Sequence, residues 1–204
     1  MPRGTTGLGQ RAAHLWAALW LCVPCGVSSQ SVAERFQATC QSCHGEGGVS
    51  AMALTPSLAG QPSFYAVTQL FLFREGRRSN AAMSAMAKGM SDSDLRAFSD
   101  HIGKLPPPAA PTLDGLLAQR MRRGATLVQE HRCASCHGDD FSGGKQVARL
   151  ANQREDYLLQ TLTEFQSGKR LGYTTAMNET LVGISAESLQ DIAYYLSNAP
   201  RAKP

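Results

Sequence analysis

Cys40-Gln-Ser-Cys43-His44 and Cys133-Ala-Ser-Cys136-His137 carry one pattern twice, C-x-x-C-H, 93 residues apart. On a helical turn, residues three and four apart lie on one face. The pattern therefore presents two thiols and the following imidazole to one ligand. That is the attachment signature of haem c, in which both thiols bond to one porphyrin while the imidazole reaches its iron. A zinc or thiol-exchange site would use the cysteines but leave His44 and His137 unexplained. Two copies, each followed by the same downstream text, argue against a chance match. The sequence predicts two covalently bound haem c groups, held through Cys40 and Cys43 and through Cys133 and Cys136, with His44 and His137 each on an iron.

The downstream text defines an internal repeat. Leu58-Ala-Gly-Gln61, Tyr65, Phe73, Gly76 and Arg78 recur as Leu150-Ala-Asn-Gln153, Tyr157, Phe165, Gly168 and Arg170, at a period of 92. Met83, Ser91 and Leu95 match Met177, Ser185 and Leu189 at a period of 94, which implies two residues inserted near Tyr173. Between the copies, Leu105-Pro-Pro-Pro-Ala-Ala-Pro-Thr112 reads as a stiff linker that ends the preceding helix. The expected domains are 30–105 and 113–204, joined by 106–112.

Each copy reads as all-α, with short helices around loops and no alternating strand pattern. A helix is expected over Ser63 to Glu75, with Gly76 as its stop. Others are expected over Ser91 to Lys104, opened by a Ser N-cap, and over Ser185 to Asn198. A further helix starts after Asp114 and ends near Cys133, with Gly124 weakening its middle. A domain of roughly 80 residues has a thin core and commonly needs a staple, which covalent haem would supply.

Residues 1–29 read as a cleaved signal peptide. Arg3 and Arg11 form the positive region, Ala12 to Val23 the apolar core, and Val27-Ser28-Ser29 the small residues before a cut at Gln30. The apolar run is shorter than the ~20 residues of a spanning helix. Cys22 and Cys25 are followed by Gly26 rather than His and would leave with the segment. The other four cysteines are all used by the haem motifs, so none is left for a disulfide. Export to the periplasm suits haem c, which is attached outside the bacterial cytoplasm.

Of 20 basic and 16 acidic side chains, Arg3 and Arg11 fall in that segment, and the remainder is nearly balanced in each half. Without a basic stripe, nucleic acid is excluded as a partner.

The opposite face of each iron decides between carrying electrons and doing chemistry. The first copy offers Met52, Met83, Met86 and Met90, and of these Met83 has a methionine partner in the repeat, Met177. Met86 and Met90 correspond to Thr180 and Ile184, which suit packing, with Met86 as the reserve candidate. His44/Met83 and His137/Met177 are thus the expected axial pairs. Such ligation closes the iron and raises its potential, favouring electron transfer over catalysis.

Weaker candidates surround these. Pro56 suits either a carbonyl acceptor for the Nδ1 proton of His44 or a plain loop residue, with Ala148 as a less constrained counterpart. Gln61, Tyr65 and Arg78, with Gln153, Tyr157 and Arg170, suit propionate binding, the domain interface or plain surface. His101 and His131 read as exposed, and Arg122-Arg123 as a solvated face.

Taken together, Cys40 to Gly45, Leu58 to Gln61, Tyr65, Phe73-Arg-Glu-Gly-Arg-Arg78 and Met83, with Cys133 to Gly138, Tyr157, Phe165 to Arg170 and Met177, resemble the di-haem cytochrome c4 family. The resemblance spans about Gln30 to Leu196. It implies two tandem class I cytochrome c domains face to face about a pseudo-twofold axis, with propionates near the interface. It also implies a periplasmic carrier, often loosely membrane-associated, passing electrons from the respiratory chain to a terminal oxidase. The expected partners are redox proteins, a membrane oxidase or quinol-oxidising complex. Asn152 and Ala148 depart from the family's Gly and Pro.

The alternative is a di-haem subunit of a periplasmic dehydrogenase, resembling the cytochrome subunit of sulfide-oxidising flavocytochromes. A di-haem peroxidase would need an open iron, against which the paired methionines argue.

Overall fold

One five-helix series occurs twice among the residues described by the computed structural model, 30–112, 118–170 and 175–200. The first comprises α1 (Val32–Thr39), α2 (Gln41–His44), α3 (Ser63–Arg74), α4 (Ala81–Ala87) and α5 (Asp92–Lys104). The second comprises α6 (Ala118–Glu130), α7 (Ala134–His137), α8 (Glu155–Gln166), α9 (Thr175–Thr180) and α10 (Ala186–Ser197). Both ends of α8 lie 92 positions after those of α3, and α10 begins 94 after α5, the periods read from the sequence. Beyond an isolated bridge, Gly144 to Val147, no extended pairing occurs among the described residues, so the architecture is all-α. None of these helices is long and apolar enough to cross a membrane. The signal-peptide reading, Cys22 and Cys25, the insertion near Tyr173 and the helix start near Asp114 lie outside the described residues.

Local chemistry sets the helix ends. Ser31 Oγ accepts from Glu34 N while the Glu34 carboxylate accepts from Ser31 N, a capping box that opens α1. Ser91 and Asp94 do the same for α5. At α10, Ser185 caps Ser188 N without a reciprocal carboxylate. α3 and α8 stop alike: Gly76 and Gly168 adopt φ +65° and +69°, turning the next amides back onto Leu72 O and Glu164 O.

The domains differ in how they hold together. In the first, α5 packs on α1 and α3 around Phe36, Ala66, Phe98 and Ile102. His101 is half-buried with its ring 4.9 Å from that of Phe36, so its exposed reading is corrected. The second has a larger core, in which α10 supplies Leu189, Ile192, Ala193 and Leu196 against α6 and α8.

Two residues of α6 do more than their sequence readings gave them. Gly124 is the point where α6 meets α10: a Cβ there would stand 2.4 Å from both Asp191 O and Tyr195 Cβ. Its lack of a side chain is therefore a packing requirement. Arg122 and Arg123 are both exposed, as read, but Arg123 also grips the buried Asp191 through Nε at 2.5 Å and Nη2 at 3.1 Å. Arg120 joins the same carboxylate at 3.2 Å and reaches Glu155 at 3.0 Å, tying α6 to α10 and α8. Sequence spacing could not place Asp191 beneath these arginines. The equivalent position in the first domain is Ala97, so that domain lacks the device.

Replacing Gly124 with Ala gains about 1 kcal/mol of helix propensity, but overpacking typically costs 1–3 kcal/mol. A backbone carbonyl at 2.4 Å cannot rotate away, so clash wins. Denaturant unfolding of Gly124→Ala is expected to show a net loss of about 1 kcal/mol or more. Asp191 lies below the ordinary aspartate value of 3.8, chiefly through its hydrogen bond from Arg123. Its ion pair thus stabilises the fold fully above that value, and the benefit disappears as pH falls through the lower folded value. Asp191→Asn is expected to destabilise the fold at pH 7, by less than loss of a fully buried pair would, because both arginines reach solvent. That gap should narrow below pH 3.8, visible in guanidinium midpoints measured across acidic pH.

Candidate functional site

In both motifs the chain turns through one short helix and ends on glycine. His44 N bonds to Cys40 O at 2.9 Å, and His137 N to Cys133 O at 3.1 Å. Gly45 and Gly138 follow with φ +79° and +81°. At Gly45 a Cβ would sit 1.9 Å from Val49 O, so only glycine permits that exit. The chain then loops back and delivers a carbonyl to the ring. Pro56 O accepts from His44 Nδ1 at 2.8 Å, and Ala148 O from His137 Nδ1 at 2.8 Å. The second loop is one residue shorter and has no proline, yet the bond is the same length.

Around these bonds the loops are tied down. Ser50 Oγ donates to Cys43 O at 3.2 Å, and Ser57 Oγ accepts from Ser50 N at 3.1 Å. Gly48 O accepts from Leu58 N and Ala59 N, and Phe141 O from Leu150 N and Ala151 N. Phe141 adopts φ +54° where Gly48 adopts +77°. Asn152, which departs from the family's glycine, holds φ +58°, a conformation asparagine tolerates better than most. Its Nδ2 donates to Ala199 O at 2.9 Å, fastening the chain after α10. In the first domain Gly60 occupies this place, and a Cβ there would lie 2.8 Å from Pro107 Cβ of the linker.

Both imidazoles are buried, at 5% and 8% exposure, and burial lowers their proton affinity despite the carbonyl bond. Each is therefore a neutral ring at pH 7, with Nδ1 occupied and Nε2 left to act as donor to a metal. The four thiols are unbridged, and burial pushes those of Cys40 and Cys133 up. Two thiols and a neutral imidazole on one turn are the donor set that haem c requires, so the residues present fit that group.

Met83 is half-buried at the third position of α4, its N–H capped by Asn80 Oδ1 at 3.0 Å. Met177 lies at the third position of α9 and packs against the second core. The repeat thus places the two methionines alike. Met90 packs on the first core, as expected, whereas Met86 is 44% exposed and Met52 48% exposed, so the packing expectation fails for Met86.

The glutamines and Tyr157 join the domains. Gln153 Oε1 accepts from Ser57 N at 2.7 Å, and its Nε2 donates to Ser57 O at 2.8 Å. Gln61 meets Arg149 in the same way, at 3.0 and 2.9 Å. Ser57 and Arg149 are themselves repeat partners, so the exchange follows the pseudo-twofold axis. The glutamines were visible in the sequence as a repeated pair. Ser57 and Arg149 were not, because they engage through their backbones. Tyr65 N donates to Lys145 O at 3.1 Å across the same boundary. Arg78 reaches across to Tyr157 Oη at 2.9 Å, where Arg170 also donates at 3.3 Å. Burial pushes that phenol up, but the two guanidiniums more than reverse this, bringing it down to about 8.

Comparison with known proteins agrees with this architecture. Residues 28–102 match the family model for cytochrome c oxidase, cbb3-type, subunit III, and residues 121–200 match that for cytochrome c. The chain is 32% identical over 164 residues to cytochrome c4 of Thiocapsa roseopersicina, covering 77% of this chain and 85% of that one. It is 31% identical over 172 residues to a thiosulfate dehydrogenase electron acceptor of Thiomonas intermedia, covering 80% and 79%. The crystal structure of reduced cytochrome c4 from Pseudomonas stutzeri superposes with a TM-score of 0.71 at 25% identity, covering 84% of this chain and 99% of that one. With two C-x-x-C-H sites in two such domains, the chain belongs to the di-haem cytochrome c4 family of electron carriers, non-enzymatic proteins with two haem c groups in His/Met ligation.

Proposed function

We propose that this protein is a periplasmic carrier that takes electrons from a respiratory or periplasmic donor and passes them to a terminal oxidase or similar acceptor. Its ligand pairs are His44 with Met83 and His137 with Met177, and its covalent anchors are Cys40, Cys43, Cys133 and Cys136. The observation that carries this reading is the identical 2.8 Å bond from a backbone carbonyl to each buried imidazole, in two copies facing one interface. The bound haem supplies reversible one-electron chemistry. The chain's part is to hold each imidazole neutral and in one orientation, exclude water from that nitrogen, and keep the domains in register. Closed coordination leaves no position for oxygen or peroxide, which suits transfer rather than catalysis. The proposed processing removes residues 1–29, leaving domains 30–105 and 113–204 about the 106–112 linker.

A second reading concerns the electron donor. Similarity to the Thiomonas intermedia protein, a thiosulfate dehydrogenase electron acceptor, supports a dehydrogenase that oxidises a reduced sulfur compound as one donor. The two readings are compatible, since a carrier needs both a donor and an acceptor.

The protein matured with a c-type haem attachment system is expected to hold two haems and show the red sulfur-to-iron band of the ferric state at full intensity. Met83→Ala and Met177→Ala should each remove about half of that band, because each takes one of two thioether bonds. A wild-type spectrum with half the band, or with high-spin iron, would overturn the closed-site assignment for that haem. Stopped-flow mixing with a sulfur-compound dehydrogenase and substrate should reduce both haems, and lack of reduction removes the second reading.

A further inference from the structure

In each domain a single peptide group connects the axial histidine to the opposite domain. Pro56 C=O and Ser57 N–H belong to one amide. Its oxygen accepts from His44 Nδ1 at 2.8 Å, and its N–H donates to Gln153 Oε1 at 2.7 Å. Ala148 C=O and Arg149 N–H form the equivalent amide, which accepts from His137 Nδ1 at 2.8 Å and donates to Gln61 Oε1 at 3.0 Å. Each carboxamide then closes a second bond onto the carbonyl of the same residue, at 2.8 Å to Ser57 O and 2.9 Å to Arg149 O. The two chains run His44, Pro56–Ser57, Gln153 and His137, Ala148–Arg149, Gln61. They cross the interface in opposite directions.

The bonds between Ser57 and Gln153 are buried, and those between Gln61 and Arg149 are partly buried. Ser57, Gln61 and Gln153 are 4%, 6% and 5% exposed. An amide that donates through its N–H is a stronger acceptor at its oxygen, and hydrogen bonds in series strengthen one another by roughly 10–30% each. A stronger acceptor draws the Nδ1 proton and makes the other ring nitrogen the better donor to a metal. A better donor favours the ferric state and lowers the potential.

We propose that Gln153 is the positioning residue that tunes the His44 site, and Gln61 the one that tunes the His137 site, so that each haem's potential depends on the other domain being docked. This rests on the ligand reading given above. Its consequence is that a partner that shifts one domain against the other changes both potentials without touching either iron. A glutamine that merely fastened the domains would act on both haems equally; the crossed connection predicts an effect on the opposite haem alone.

The test is Gln153→Leu and Gln61→Leu in the matured di-haem protein. Potentiometric titration is followed by haem-resolved NMR, with the sulfur-to-iron band recorded on the same samples. Gln153→Leu is expected to raise the reduction equilibrium constant of the Cys40/Cys43 haem roughly threefold to tenfold, the modest end of outer-shell effects on metal sites. The upper value corresponds to about 59 mV for one electron. The Cys133/Cys136 haem should move less than about twofold, since its own amide keeps its partner. Gln61→Leu should give the mirror result.

In the reduced protein, exchange of the His44 Nδ1 proton should quicken in Gln153→Leu while that of His137 does not. If a leucine variant fails to mature, Gln153→Asn and Gln61→Asn shorten the reach and should give the same crossed pattern. Equal shifts of both haems, or none, with the band at full intensity overturn the tuning role and leave the ligand assignment standing. A wild-type protein lacking the band overturns the ligand assignment, and this proposal with it.

Discussion

A carbonyl 2.8 Å from Nδ1 of a buried imidazole is the constraint around which each domain is arranged. The histidine comes early in its domain, at the end of a four-residue helix, and its acceptor lies eleven or twelve residues later. The chain must reverse between the two without leaving polar backbone unpaired in a dry loop. Gly45 at φ +79° makes the exit, Ser50 and Ser57 occupy the loop's polar groups, and Gly48 O receives two returning amides. In the second domain the loop is shorter and Phe141 stands in place of Gly48. It nevertheless brings Ala148 to the same distance. The bond has outlasted the sequence that builds it.

Away from that bond the two copies have diverged in how their helices are joined. The first relies on a small apolar cluster about Phe36 and on Pro107 of the linker lying over Gly60. The second closes α6 onto α10 at Gly124 and secures the crossing with Arg120, Arg123 and the buried Asp191. A buried carboxylate is costly alone and tolerable with two guanidiniums, so these three residues depend on one another. Asn152 shows the same economy of position: it accepts the left-handed backbone that its glycine counterpart takes freely, and uses its amide to hold Ala199.

The interface is built from polar contacts, and they lead to the sites. Gln61 and Gln153 each satisfy both backbone groups of one residue in the opposite domain, which fixes register more tightly than apolar contact would, because hydrogen bonds are directional. Tyr157 lies between guanidiniums from both domains, its phenol eased toward ionisation by their charge.

The repeat, the two C-x-x-C-H motifs and the paired methionines were legible in the sequence, because their meaning depends on spacing along the chain. Helix ends were legible for the same reason: Ser91, Ser185 and Gly76 act on residues within one turn. Spacing failed where a residue's partner is distant. Gly124 looked like a weak point in a helix until α10 lay against it, and spacing gave the exposed Arg123 no sign of its partner Asp191, 68 positions away. His101 looked exposed until Phe36 met its ring. The glutamines could be recognised as a pair, but their targets are backbone groups, which carry no side-chain signature. Sequence alone therefore determined what chemistry the protein holds and that it holds it twice. Which backbone amide connects one site to the other domain was decided by tertiary structure, since only folding brings Ser57 to Gln153 and Arg149 to Gln61.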